Sequence, residues 1–327
     1  MRIFITGATG YIGNLLAKQL AANGNIVHAL IRNREKAVYL DHYNIRIFYG
    51  DLNNNEAIQN AMDGCEFVYH VGGQVRPWLK ERSDYFKVNV EGTKNICEEA
   101  LRSGVKKLVF TSSTGVIGPA QDNPLSEDAS RMIDFSLDYD LSKKLAEETV
   151  MTYHKKGLPS VIVSPAKVFG PGHVSHEFAG NAIIHSFIKK NYVLIPSPGS
   201  YRVCFAYIDD IINGHLLAMK KGVPGEKYIL GGHNISYYDF FNSIRRIAGI
   251  KGRIISVPKS IAKLAGYLQE LNYKIAGTPV KFTAKSVNHA FSNYIFSSDK
   301  AVDKLGYAIT PLEKSLITTI CNLNNPH

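Results

Sequence analysis

The sequence has little cysteine and no clustering of it. Its four cysteines, Cys65, Cys97, Cys204 and Cys321, lie far apart, and no pair has the spacing of a zinc site or a dithiol redox centre. That argues against a disulfide-stapled scaffold and leaves reduced, mostly buried thiols of a cytoplasmic protein as the expectation. No apolar run approaches the ~20 residues that a membrane-spanning helix needs, and the first residues already read as a strand, without a signal-peptide layout. Basic residues form no long run, so the net charge of +10 is scattered; it suits an anionic small molecule better than nucleic acid. Repeats and low-complexity tracts are missing too. What remains is an ordinary globular composition, 45% hydrophobic and 20% charged over 327 residues, enough for one large or two unequal units. The expected partner is a small molecule, with neither nucleic acid nor a membrane.

Residues 1–34 carry the first positive signal. The apolar run Arg2-Ile3-Phe4-Ile5 breaks into Thr6-Gly7-Ala8-Thr9-Gly10-Tyr11-Ile12-Gly13. Apolar residues then recur at helical spacing as far as Asn23-Gly24, a helix-ending pair, and Ile26 to Ile31 is a second apolar run. Strand, glycine turn, helix and strand within about 30 residues is the setting in which a glycine triplet binds a dinucleotide. Gly7 permits the tight turn, Gly10 lets a pyrophosphate reach the main chain, and Gly13 lets the helix pack close to the strand. The helix N-terminus offers free N–H groups and partial positive charge to the phosphates. An ordinary strand-to-helix turn is the alternative.

Apolar runs continue to alternate with helical patterns. Strands are expected at Ile45–Phe48, Phe67–Val71, Leu108–Ser112 and Ser160–Ser164, and helices at Asn54–Met62, Asp84–Ser103 and Tyr139–Lys156. The alternation predicts an α/β fold with a doubly wound parallel sheet. After residue 165 come Pro- and Gly-rich loops, helices at Gly180–Lys190, Ile211–Lys220, Tyr237–Ala248 and Lys259–Lys274, and a late strand at Tyr228–Leu230. The expected division is a dinucleotide-binding domain at 1–165, re-entered at about 201–231, with 166–200 and 232–327 forming mainly a smaller substrate-binding α/β domain. Tyr237, Tyr238, Phe240 and Phe241 read as core.

Two further stretches carry chemistry. Tyr139 and Lys143 are four apart on a predicted helix, so phenol and ammonium can reach one site. A lysine cation favours the phenolate and lowers a tyrosine pKa from its ordinary ~10; a surface pair is the alternative. Thr111, Ser112, Ser113 and Thr114 end the fifth strand, where open α/β sheets bind ligands. Some of these hydroxyls can hold a substrate oxygen while others cap the turn. Trp78, Tyr85 and Phe86 either line a substrate mouth or pack a helix. His173 and His176 form an HxxH pair in a loop, where substrate contact is expected and no metal.

These segments, with Gly50-Asp51-Leu52, His70-Val71-Gly72-Gly73, Asn89-Val90-Glu91-Gly92-Thr93, Ser164 to Gly172, Phe205 to Asp210 and Phe296 to Tyr307, resemble the extended short-chain dehydrogenase/reductase family, in its order and over nearly the whole chain. Two departures are a glycine for the usual alanine in the His70 segment and Ser164 for an arginine. The resemblance implies a Rossmann fold with Ser113 as catalytic hydroxyl, Tyr139 as general acid/base and Lys143 as its tuner and ribose ligand. It implies cofactor contacts from Gly7, Thr9, Gly10, Tyr11, Ile12, Arg32, Asp51, Leu52, Val71, Gly72, Gly73, Pro165 and Val168. Substrate contacts would come from Ser113, Thr114, Trp78 and His173. It also suggests a homodimer through the helices at 84–103 and 139–156, faces that would equally serve as monomer surface.

Charge argues the choice of cofactor. An acid about 20 residues past the glycines accepts from the ribose 2′-hydroxyl of NAD. Here Arg32 takes that place, with Arg34 and Lys36 nearby, and a guanidinium suits a 2′-phosphate. NADP is expected over NAD; a solvated basic turn is the alternative. Thr114 and Gly115 stand where the family's dehydratases carry acids. The sequence looks most like the dihydroflavonol-reductase and 3β-hydroxysteroid-dehydrogenase branches, which implies interconversion of a secondary alcohol and a ketone or aldehyde. A nucleotide-sugar 4-epimerase retaining NAD is the alternative. A non-enzymatic sensor or RNA-binding relative would typically lack the Tyr139–Lys143 pair.

Overall fold

The computed structural model describes residues 1–75, 79–172, 179–278, 280 and 282–324. The chain begins with β1 (Arg2–Thr6), α1 (Tyr11–Ala22), β2 (Ile26–Ile31), β3 (Ile45–Tyr49), α2 (Asn55–Met62) and β4 (Phe67–His70). A helical run follows, α3 (Ser83–Phe86), a π-type segment Lys87–Glu91 and α4 (Gly92–Arg102), then β5 (Lys107–Thr111), α5 (Asp138–Lys155) and β6 (Ser160–Pro165). Next are β7 (Lys167–Phe169), α6 (Ala179–Lys190), β8 (Tyr192–Pro196), β9 (Arg202–Tyr207), α7 (Ile208–Lys221) and β10 (Lys227–Leu230). The chain continues with β11 (His233–Ser236), α8 (Tyr237–Ile247), β12 (Arg253–Val257), α9 (Lys259–Ala276), α10 (Ala284–Ala290), α11 (Asp299–Leu305) and α12 (Leu312–Asn324).

Seven strands form one parallel sheet in the order β10-β6-β5-β4-β1-β2-β3. Alternate residues of each strand point to opposite faces. Ile3, Ile5, Val27 and Val109 join one core with α1 and α7, while Phe4, Leu30, Val68 and Phe110 join another with α2, α4 and α5. Burial on both faces is why these strands read as continuous apolar runs. Strand order reverses between β1 and β4, so the loops leaving them diverge and open a crevice above the sheet.

The small sheets were the less legible part. β9 pairs with β7 and β11, not with the main sheet, so of residues 201–231 only α7 and β10 return to the main layer. β8 and β12 form a two-stranded parallel sheet in which Tyr192 and Leu194 face solvent while Val193 and Ile195 are buried. Apolar residues on both sides of so short a strand hide its period. The helix expected over 84–103 carries a π-type turn at Lys87–Glu91. Tyr237, Phe240 and Phe241 are core, but Tyr238 is exposed.

Gly13 shows how tightly β1 and α1 meet. A Cβ there would stand 2.1 Å from the Gly7 carbonyl oxygen, main chain that cannot swing aside. Alanine is the better helix former by about 1 kcal/mol, yet Gly13→Ala is expected to destabilise by about 2 kcal/mol net because the overpacking dominates. A thermal melt checks this, and an unchanged or raised Tm contradicts it.

Candidate active site

The crevice begins where β1 runs out. Gly7 adopts φ +73°, and a Cβ on it would lie 2.6 Å from the Gly72 nitrogen, so the loops after β1 and β4 are in backbone contact. No side chain caps α1, which leaves its first N–H groups directed at the crevice mouth. The open space, about 310 Å³, has Gly7 and Thr9 on one wall and Gly72 and Gly73 on the other. Arg32, Lys36, Asp51 and Leu52 line its far end. Asp51 spends one carboxylate oxygen on the Asn53 N–H, 2.8 Å away. Arg34, in contrast, stacks its guanidinium 4.3 Å above the Tyr49 ring and is not among the lining residues.

Several expected cofactor residues lie off this lining. The Tyr11 side chain is buried, and its phenol donates to the carbonyls of Gly170 and Pro171 at 2.7 and 3.2 Å. It bolts the loop after β7 to α1. Gly10, Ile12, Val71, Tyr139, Lys143, Pro165 and Val168 do not line the crevice, and Val168 is core.

At the other end the four hydroxyls after β5 sort themselves out. Thr111 hydrogen-bonds His215 Nε2 at 2.9 Å, and Ser112 donates to Glu147 at 2.5 Å. Glu147 is held in turn by Lys227 at 2.8 Å. Thr114 is buried in a short 3₁₀ turn. Ser113 remains: its Oγ accepts the Gly115 N–H at 3.0 Å and is hydrogen-bonded to the Tyr139 phenol. Tyr139 and Lys143 lie one turn apart on α5, and the Lys143 ammonium sits 4.2 Å above the Phe110 ring. Burial pushes the Tyr139 pKa well above the usual phenol value and pulls Lys143 down to about 7. Asp140 is buried with one carboxylate oxygen unpartnered, and burial lifts its pKa to about 6.

A buried relay joins the two ends. Thr93 Oγ1 donates to the Asn89 carbonyl at 2.5 Å, so it accepts from His70 Nε2 at 3.0 Å. His70 Nδ1 then accepts from Thr6 Oγ1 at 2.7 Å, and that oxygen also accepts the Gly72 N–H at 2.9 Å. Asn89, in the π-type turn, accepts the Gln74 N–H at 2.7 Å and donates to Ser142 at 2.8 Å. Ser142 donates to the Tyr139 carbonyl at 2.7 Å. Burial, then the nearby Lys143 charge, keeps His70 neutral, with a pKa of about 3. Beside Tyr139 a second cleft of about 420 Å³ is lined by Val75, Leu79, Tyr85, Tyr267, Glu270 and Thr283 among others. Among the described residues no group of three His, Cys, Asp or Glu could hold a metal. Trp78, His173 and His176 lie outside the described residues.

With this geometry in view, a model of the NAD-dependent epimerase/dehydratase family matches residues 3–231. The chain belongs to that family. Sterol demethylase protein B of Methylococcus capsulatus is 29% identical over 83% of this chain and 81% of its own length. A putative dihydroflavonol 4-reductase of Synechocystis is 28% identical over 97% and 93%. The crystal structure of Thermotoga maritima UDP-glucose 4-epimerase superposes with TM-score 0.82 at 22% identity over 99% of both chains, which establishes the shared fold. This member of the extended short-chain dehydrogenase/reductase branch thus has a seven-stranded Rossmann-like sheet and the family's ordered motifs.

Sequence reasoning missed Asn89, Ser142, Thr6 and Thr93 as parts of the family member's site. Their signal was membership of the glycine, Asn89–Thr93 and Tyr139–Lys143 segments, which did not by itself say that these side chains bond to one another. His215 is the other buried imidazole of the site. Its Nδ1 donates to the Ile211 carbonyl, 2.7 Å away, a bond that favours the charged form, but burial outweighs it and lowers the pKa to about 4, so this ring too is neutral near pH 7. The unfolded imidazole gains a proton near pH 6.5 and the folded one resists until about 4, so stability is lost as pH falls through that window. His215→Gln, which does not titrate, is expected to lose less between those limits, by about 1.4 kcal/mol per pH unit. Urea unfolding of both proteins across that range measures the difference; equal slopes contradict it.

Proposed function

We propose that the protein is an NADP-dependent oxidoreductase interconverting a secondary alcohol and a ketone or aldehyde. The observation that carries this is the grouping of Ser113, Tyr139 and Lys143 next to a crevice that presents Arg32 and Lys36 at its far end: a Cβ on Gly73, which lines that crevice, would stand 3.8 Å from the Lys143 ammonium. The backbone cradle at Gly7 and Gly72, too close for any side chain, suits a pyrophosphate. When bound, the nicotinamide supplies or accepts the hydride. Ser113 holds the substrate oxygen and Tyr139 exchanges its proton with that oxygen. Lys143, drawn toward neutrality by burial, is returned to its charged form by ligand hydroxyls at its ammonium, and that charge favours the phenolate.

The competing reading is a nucleotide-sugar 4-epimerase, which would use the same three side chains with a retained NAD. Arg32 and Lys36, at the position that an acid would fill for NAD, weigh against it. Two measurements test the proposal. The purified protein is expected to carry no stoichiometric NAD(H); its presence would overturn the assignment. On the best substrate from a panel of ketones, Tyr139→Phe should lower kcat by about 10³-fold while leaving NADPH affinity within about twofold. Unchanged turnover would sink the mechanism.

A further inference from the structure

We propose that α9 docks the protein in its own plane on an anionic lipid surface. A surface helix normally turns its apolar stripe inward; α9 does the reverse. Its single fully buried residue is Gly266, where a Cβ would lie 2.6 Å from the Ala284 nitrogen of α10. One turn on, Glu270 accepts the Ala284 N–H at 2.9 Å. That ridge seats the helix. On the opposite side Ile261, Leu264, Leu268, Leu271 and Ile275 are 52–78% exposed. Their alternating three- and four-residue spacing confines them to an arc of about 80°, centred nearly opposite Gly266 and Glu270. The stripe continues for most of a helix about 27 Å long, and no helix of the described residues is long and apolar enough to cross a membrane.

Charge selects the occupant. Lys259, Lys263 and Lys274 are the cations of α9, and Glu270, its sole acid, is already engaged by the Ala284 N–H. Lys263 and Lys274 lie along one side of the stripe, from which long side chains reach headgroups while leucines enter the interface. A second copy of this chain would oppose three lysines with three, whereas an anionic leaflet attracts them, as it does a chain of net charge +10. Tyr267 and Glu270 also line the cleft beside Tyr139, so the docking helix forms part of that cleft's wall. The sequence excluded a spanning segment; a helix lying in the interface escapes that test. The docking does not depend on the reaction assigned above.

The test is co-sedimentation with vesicles, without substrate. The wild type should sediment with vesicles of equal parts phosphatidylcholine and phosphatidylglycerol, far less with phosphatidylcholine alone, and be released by salt. Leu264→Gln with Leu268→Gln should weaken binding about tenfold or more. Lys263→Glu with Lys274→Glu should weaken binding to the anionic vesicles alone, at roughly fivefold or more per lysine. Both variants should melt like the wild type. Failure of the folded wild type to sediment with anionic vesicles overturns the proposal, as does binding that neither pair of substitutions reduces. So does self-association in sedimentation velocity that the leucine substitutions abolish while vesicle binding persists.

Discussion

The backbone contact between the loops after β1 and β4 is the constraint on which the site rests. Gly7 and Gly72 touch without side chains, and Thr6 Oγ1 ties the two loops by accepting the Gly72 N–H while donating to His70. The same contact fixes where α1 starts, since Gly13 must pack on the Gly7 carbonyl. It also sets where His70 stands, and through Thr93, Asn89 and Ser142 it reaches the first turn of α5. A parallel sheet brings all its strand ends to one edge; the relay fixes their spacing.

Electrostatically, the site is governed by burial. Desolvation favours neutral forms of Tyr139, Lys143, His70 and His215 together, so these side chains place little charge inside the site. Positive charge instead gathers at the far end, at Arg32 and Lys36, exposed or half-buried, where an anionic ligand replaces water at little cost. On the proposed reading, ligand binding both fills the crevice and recharges Lys143.

The main layer was legible in the sequence because long apolar strands, glycine turns and amphipathic helices agree there, as at Arg2–Thr6 and Asp138–Lys155. Of the candidate catalytic trio, Tyr139 and Lys143 stand out by their spacing, and Ser113 only by the family resemblance. What was hidden depends on three-dimensional neighbours. Nothing local distinguishes Ser113 from Ser112; the difference is that Glu147 occupies one and Tyr139 the other. The π-type turn holds Asn89, whose side chain clamps Gln74 and Ser142, partners distant in the sequence. Tyr11 belongs to the glycine motif, yet its ring serves the distant loop at Gly170. The helical pattern of α9 announced a helix without saying that its apolar side faces outward.

The central claim is that the crevice from Gly7 to Lys143 holds a 2′-phosphorylated dinucleotide through Arg32. Calorimetric titration of the purified protein with NADPH and with NADH tests it directly. The account predicts NADPH binding at least about tenfold tighter, with Arg32→Asp removing or reversing the preference. Equal or tighter binding of NADH by the wild type would contradict it.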